Sequence, residues 1–244
     1  MPVRKPYDPR AEIRRAVEHR DLEWLLKKTG EIHGHFCPGS ALGVMASVYG
    51  LMYPDMGFTP ADGMEGLMAV VETNSCFADG IQMVSGCTVG NNCLVYRDLG
   101  RTAVTFAQRG RQMGIRVRVR PSFRCLIDRD VPEFFPLMEK VVKNRAGSGE
   151  EMAAFKTKAA EAGFILIQAP LSEVLIAETV TPALPDYAPI TQSVVCLGCG
   201  ETIMATKTVT GGEGEGLCFM CARQEYCQVE GQGIVTRSPQ KAMN

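Results

Sequence analysis

Two cysteine pairs, Cys196-x-x-Cys199 and Cys218-x-x-Cys221, constrain this chain more than any other feature. Two intervening residues let both sulfurs of a pair converge on one ion while backbone amides point at them. Eighteen residues separate the pairs, a spacing that predicts tetrahedral Zn²⁺ held by four thiolates. Gly198 and Gly200 fall where the first turn needs positive φ or a close approach. The segment Thr210-Gly211-Gly212-Glu213-Gly214-Glu215-Gly216 reads as a hairpin tip between the pairs. A unit this small cannot bury enough apolar surface to fold unaided, so the metal supplies its folding free energy. Four thiolates leave no open position, which makes the site structural. A redox dithiol is the competing reading. Cys227 lies beyond the second pair and reads as a spare thiol.

Ten cysteines occur in 244 residues, a density that in a short secreted chain would suggest disulfides. This chain is long, and Met1-Pro2-Val3-Arg4-Lys5 leads into charged, helix-like sequence rather than an apolar signal core. Metal binding in a reducing compartment fits better, and a cytoplasmic location is expected. The stretch Ile32–Pro54 holds no Asp, Glu, Lys or Arg, long enough to raise a membrane helix. It also contains His33, His35, Pro38, Ser40 and four glycines, which points to burial in a protein core and to no membrane partner. The net charge of −1 offers no basic field. In the cysteine segment, Lys207 and Arg223 stand against Glu201, Glu213, Glu215 and Glu225. Phosphate contacts supply most non-specific affinity for nucleic acid, so none is expected here.

Apolar spacing predicts a helix over Ala11–Lys28 and a second one opened by Pro38, with Ala41, Leu42, Met45, Val48, Tyr49 and Met52 as its inner face. Gly39 and Gly43 leave room on that helix for close backbone approach. Gly66–Thr73 reads as a buried strand and Cys76–Met83 as a short helix. Thr102–Ala107 and Arg116–Arg120 read as a hairpin, with Arg116, Arg118 and Arg120 on its solvated face. Pro132–Arg145 and Ser148–Ala162 read as helices, Ile165–Gln168 and Val174–Glu178 as strands. The elements do not alternate regularly, so an α+β core is expected over residues 1–185. A proline-rich linker, Thr181–Pro189, leads to a four-cysteine zinc domain over residues 190–244, of zinc-ribbon or treble-clef-like type.

A second cluster lies near the start. Two of only three histidines sit in His33-Gly34-His35-Phe36-Cys37. In an extended segment alternate residues share a face, so His33, His35 and Cys37 could point one way, with Gly34 as the hinge. Cys37 precedes a helix, where the positive dipole end lowers a thiol pKa. Imidazole and thiolate together suit zinc or another borderline-soft transition metal; satisfied core histidines beside a buried cysteine are the plainer alternative. Cys76 and Asp79, three apart, share a helix face. They and Cys87-Thr88-x-Gly90-Asn91-Asn92 form a polar stretch that suggests a shared cavity, although Cys76 and Cys87 taken alone are as readily small core residues.

His33-Gly34-His35-Phe36-Cys37-Pro38-Gly39, Cys76-Phe77-Ala78-Asp79-Gly80-Ile81-Gln82, Ser85-Gly86-Cys87-Thr88-x-Gly90-Asn91 and the terminal cysteine pairs together resemble the family named for the E component of formylmethanofuran dehydrogenase. The resemblance implies an α+β core, a dimer, a metal-binding cavity and a zinc domain. It does not imply CO₂ reduction, which belongs to other components of that enzyme. Gly80 stands where the family pattern has alanine. The expected cofactors are a structural zinc at the four cysteines and a second transition metal, zinc by preference, at His33, His35 and Cys37, with Cys76 and Cys87 as further metal-binding residues of the same cavity. Were the chain an enzyme, Cys37 and Asp79 would be the catalytic residues. The alternative is a non-catalytic accessory protein that docks a partner through the zinc domain.

Overall fold

The computed structural model describes residues 7–59, 61 and 63–239; the Met1–Lys5 stretch read above lies outside them. The chain divides into two compact units, Met1–Pro185 and Asp186–Asn244.

The first unit opens with α1 (Ala11–Glu18) and α2 (Leu22–His33). A single helix was expected there. Arg20 takes φ 55°, which breaks the run, and Asp21 then caps α2 by accepting from the Trp24 N–H at 3.0 Å. Gly34, at φ 81°, ends α2 in the left-handed conformation. The next helix, α3 (Pro38–Leu51), has Cys37 as its N-cap and Pro38 in its first turn. Its inner surface is wider than the amphipathic face expected, because Val44 and Ala46 are buried along with Ala41, Leu42, Met45 and Val48. Helices α2, α4 (Cys76–Ser85) and α7 (Gly149–Leu166) and strands β3 (Ala103–Gln108) and β4 (Gly114–Val119) surround α3. This position explains why α3 itself carries no charge: most of its side chains are buried, and a charged one there would have no route to water.

Strands β1 (Leu67–Val71), β2 (Leu94–Tyr96), β3 (Ala103–Gln108), β4 (Gly114–Val119) and β5 (Leu175–Val180) form one sheet in the order β2-β1-β3-β4-β5. Only the β1–β2 pairing is parallel. The short strand β2 was not foreseen. Ile165–Gln168, read as a strand, is the end of α7 and the turn after it; an apolar run of four residues does not distinguish the two. Between β4 and α7 lie α5 (Phe123–Asp130) and α6 (Phe134–Leu137), the latter continuing into a π-helical stretch, Met138–Lys143. A short α8 (Leu171–Val174) precedes β5.

The arginine face of the hairpin is not simply wet. Register places Val70, Thr105, Arg116 and Glu178 in one row across four strands. Arg116 binds Glu72 through Nε at 2.8 Å and Nη2 at 2.9 Å, and Arg101 Nε reaches the same carboxylate at 2.6 Å. Glu72 is only 4% exposed, so its charge depends on those partners.

The second unit consists of two hairpins, β6–β7 (Ser193–Val195, Thr202–Met204) and β8–β9 (Tyr226–Glu230, Gly233–Arg237), joined through the cysteine knuckles. The chain is therefore an α+β core with a small, zinc-ribbon-like cysteine unit. Among the described residues no helix is long and apolar enough to cross a membrane.

Candidate metal centres

Two groups of potential ligands stand out among the described residues: His33, His35, Cys37 and Cys76, and Cys196, Cys199, Cys218 and Cys221. Within each, one ligand atom per residue lies within 4.8 Å of all the others. Tetrahedral zinc with 2.3 Å bonds to sulfur needs its ligand sulfurs roughly 3.8 Å apart, so each group lies a small side-chain adjustment from a coordination shell.

The core group is assembled by three elements, and not by strand alternation. His33 is the last residue of α2, and Gly34 reverses the chain so that His35 comes back over it. The two imidazole centroids lie 4.2 Å apart. Cys37 then caps α3: its sulfur accepts from the Ser40 N–H at 3.5 Å, and Ser40 Oγ accepts from the Cys37 N–H at 3.3 Å. Cys76 arrives from the first turn of α4. Glycines make this meeting possible. A Cβ at Gly39 would stand 2.8 Å from Cys76 Cβ, and one at Gly43 would stand 2.2 Å from the Phe77 carbonyl oxygen. The same contact explains Gly80, where a methyl would meet the Ser40 carbonyl oxygen at 2.6 Å.

Hydrogen bonds orient the ligands. His33 Nδ1 lies 2.7 Å from Asp79 Oδ2, and Gln82 Nε2 donates to Asp79 Oδ1 at 3.3 Å. With its proton held on Nδ1 by the carboxylate, His33 presents Nε2 toward the Cys37 sulfur, 3.7 Å away. Burial pushes the His33 pKa down, but the bonds to Asp79 and Cys37 outweigh it and the net shift is upward. Donation from the Cys76 thiol, opposed by burial and aided by Ser40 and His33, holds Cys37 down to about 4. Cys76, hydrogen-bonded to that thiolate and largely buried, is pushed up. One sulfur is thus ready to bind a cation, and the other would release a proton on doing so.

Cys87 does not join this group. Its thiol donates to the Leu67 carbonyl at 3.5 Å, and it packs beside Cys93. Asn91 organises the turn around it, accepting from the N–H groups of Thr88 at 2.9 Å and Cys93 at 3.1 Å and donating to the Gly86 carbonyl at 2.8 Å. The Gly86–Asn91 motif closes the connection from α4 to β2, and its polar side chains satisfy backbone groups there. Sequence reasoning also passed over Ser40 and Gln82. Ser40 was readable, since a capping residue followed three positions later by a hydrogen-bonding side chain marks a helix start.

In the cysteine unit, Cys196 Sγ accepts from the N–H groups of Gly198 at 3.4 Å and Cys218 at 3.2 Å, and Cys218 Sγ accepts from the Cys221 N–H at 3.4 Å. Backbone donors, that of Cys199 foremost and that of Cys218 next, hold Cys196 down to about 6, while neighbouring thiols push Cys221 up to about 12. Gly200 turns the first knuckle at φ 75°, and a Cβ at Gly198 would crowd Cys221 Sγ at 3.1 Å. Cys227, on β8, is not part of the group.

A family profile described as "FmdE, Molybdenum formylmethanofuran dehydrogenase operon" matches residues 32–176, which includes the whole core group. A relative from Archaeoglobus fulgidus named "Probable S-adenosyl-L-methionine-binding protein" is 37% identical over 219 residues, covering 88% of this chain and 56% of its own length. The chain thus spans about half the length of that curated relative. A solved structure of an FmdE-like protein of tungsten formylmethanofuran dehydrogenase type, from Syntrophus aciditrophicus, covers 82% of this chain and 91% of its own, at 21% identity and a TM-score of 0.49. By the profile match over more than half of its residues, this chain belongs to the FmdE family.

Proposed function

We propose that the chain is a metal-binding protein that holds one transition metal, zinc by preference, at His33, His35, Cys37 and Cys76 and a second, structural zinc at Cys196, Cys199, Cys218 and Cys221. The carrying observation is the convergence, within 4.8 Å, of four soft or borderline ligand atoms from the end of α2, the α2–α3 turn, the N-cap of α3 and the first turn of α4, with Cys37 buried and His35 exposed. A bound zinc supplies Lewis-acid chemistry only where a coordination position is open. Here four protein ligands fill a tetrahedral shell, which favours binding over catalysis. Cys37 then acts as a ligand, and Asp79 positions the His33 ring and sets its tautomer. The catalytic alternative requires one ligand to give way, and the exposed His35 is the one able to do so. Metal analysis of His35→Ala separates the two: retention of the core metal with an exchangeable fourth position supports the catalytic variant, and loss of the metal supports the closed site.

The 37% identity to the Archaeoglobus relative across most of this chain favours a second reading, in which this region takes part in binding S-adenosylmethionine. Calorimetric titration with that compound tests it, and the absence of heat at millimolar ligand rejects it. We further propose that the chain self-associates as a homodimer and that the cysteine unit docks a partner protein, its Val195, Leu197 and Met220 being exposed. Light scattering after size exclusion checks the first. For the second, a Leu197→Glu variant should lose the partner recovered with wild type.

A further inference from the structure

The arginine side of the sheet carries more positive charge than the protein neutralises. A cavity of about 360 Å³ is lined by Arg101, Arg116, Arg118 and Arg120 together with apolar walls that include Val119 and Phe123. Two carboxylates face these four guanidinium groups. Glu72 takes Arg116 on both of its oxygens and Arg101 on one of them. Glu178 accepts from Nε and Nη2 of Arg118, both at 3.2 Å, and stands 4.0 Å from Arg116 Nη1. Among the described residues Arg120 has no carboxylate partner; its Nε donates to the carbonyls of Ser172 at 3.1 Å and Leu175 at 3.2 Å. The local balance is therefore two positive charges in excess, in a chain whose net charge is −1.

The way these arginines are held matters as much as their number. Arg118 and Arg120 are hydrogen-bonded through Nε and Arg101 is ion-paired through Nε, so each guanidinium has a preferred direction before any ligand arrives. Their remaining Nη donors, both on Arg101 and Arg120 and Nη1 on Arg118, have no acceptor among the described residues. Pre-oriented guanidinium forks bind phosphate and carboxylate oxygens in pairs and lose little side-chain entropy in doing so. The apolar walls lower the local dielectric and strengthen the field in the groove.

We propose that this groove between β3, β4 and the start of α5 is a binding site for a diphosphate-bearing ligand, built from residues that belong to neither metal centre. Three oriented guanidinium groups around one cavity match the several oxygens of a diphosphate better than a single carboxylate. The surplus of two positive charges offsets most of its negative charge.

The test is calorimetric titration of the full chain with inorganic pyrophosphate and with ADP, at low and at physiological salt. Binding should weaken as salt rises. Arg101→Gln and Arg118→Gln should each reduce affinity by about tenfold, the effect of losing a charge-assisted hydrogen bond. Both variants should keep the wild-type metal content; Arg118→Gln should also keep the wild-type thermal midpoint, whereas Arg101→Gln should lower it by removing one partner of the buried Glu72. Arg129→Gln, an exposed arginine outside the groove, should leave binding unchanged. Tighter binding of ADP assigns the site to nucleotides, and equal affinities assign it to the free diphosphate; either supports the proposal. No binding of either compound at millimolar concentration overturns it, as does binding that the Arg101 and Arg118 variants share undiminished.

Discussion

Gly80→Ala offers a sharp trial of how the core centre is built. At that position an added methyl would lie 2.6 Å from the Ser40 carbonyl oxygen, 2.7 Å from the Val44 nitrogen and 2.8 Å from the Gly43 carbonyl carbon. All three are backbone atoms of α3, so no rotamer change relieves the clash. Ordinary contact needs roughly 3.5 Å, and α4 must retreat from α3 by on the order of 1 Å. Overpacking of this kind costs about 1–3 kcal/mol, toward the upper end where nothing can rotate away. Replacing glycine with alanine inside a helix returns about 1 kcal/mol. The net loss is then about 1–2 kcal/mol, visible as a lower midpoint in urea with an unchanged slope. The same retreat carries Cys76 and Asp79 away from Cys37 and His33. Metal ligands tolerate displacements of only about 0.2 Å, so core-site affinity should fall roughly tenfold or more while the cysteine unit keeps its metal. A chelator competition followed by metal analysis reads both sites. If Gly80→Ala is as stable as wild type and holds its core metal equally well, the backbone-to-backbone packing of α3 and α4 is not what brings Cys76 to the site.

Three further outcomes follow from the same contacts. Asp79→Asn should weaken the core metal by about 10–100-fold, the usual cost of losing the carboxylate behind a ligating imidazole; unchanged chelator resistance would show that His33 needs no such support. Bonding to Arg116, opposed by burial and aided by Arg101, holds the Glu72 carboxyl below its usual value. Its stabilisation is therefore full above an unfolded pKa of about 4.3 and is lost as pH falls through the lower folded value. Glu72→Gln should flatten the acid limb of stability against pH, and a limb of wild-type steepness would count against that linkage. Cys196→Ser should release one metal and expose the chain beyond about Thr191 to protease while α1–β5 stay folded; full retention of both metals would defeat the four-cysteine assignment.

How far the sequence disclosed this arrangement depended on how local each signal was. The cysteine unit was readable because each knuckle is a four-residue device, and the first carries its own glycines, Gly198 and Gly200. The core histidines were readable as a cluster but were given the wrong geometry. Gly34 ends α2 in a left-handed turn, and the ligands meet around a helix terminus, where alternation along a strand has no bearing. A glycine directly after a helical histidine was the available clue. The partnership of Cys76 with Cys37 depends on Gly39, Gly43 and Gly80 admitting close contact between two helices, which spacing alone does not encode. Cys87 was drawn into the site by its polar neighbours, yet those neighbours serve the turn that buries it. The ion pairing of Arg116 with Glu72 joins residues 44 apart in sequence, beyond the reach of any periodicity.

Metal stoichiometry in the single variants tests the central claim most directly, because Cys76 is the ligand that a separate helix, α4, brings to the site. Two ligand groups predict two metals per chain in wild type. Cys76→Ala and Cys196→Ala should each hold one, the double variant none, and Cys87→Ala should keep both. Two metals retained in Cys76→Ala, or one lost in Cys87→Ala while Cys76→Ala keeps both, would contradict the core site described here.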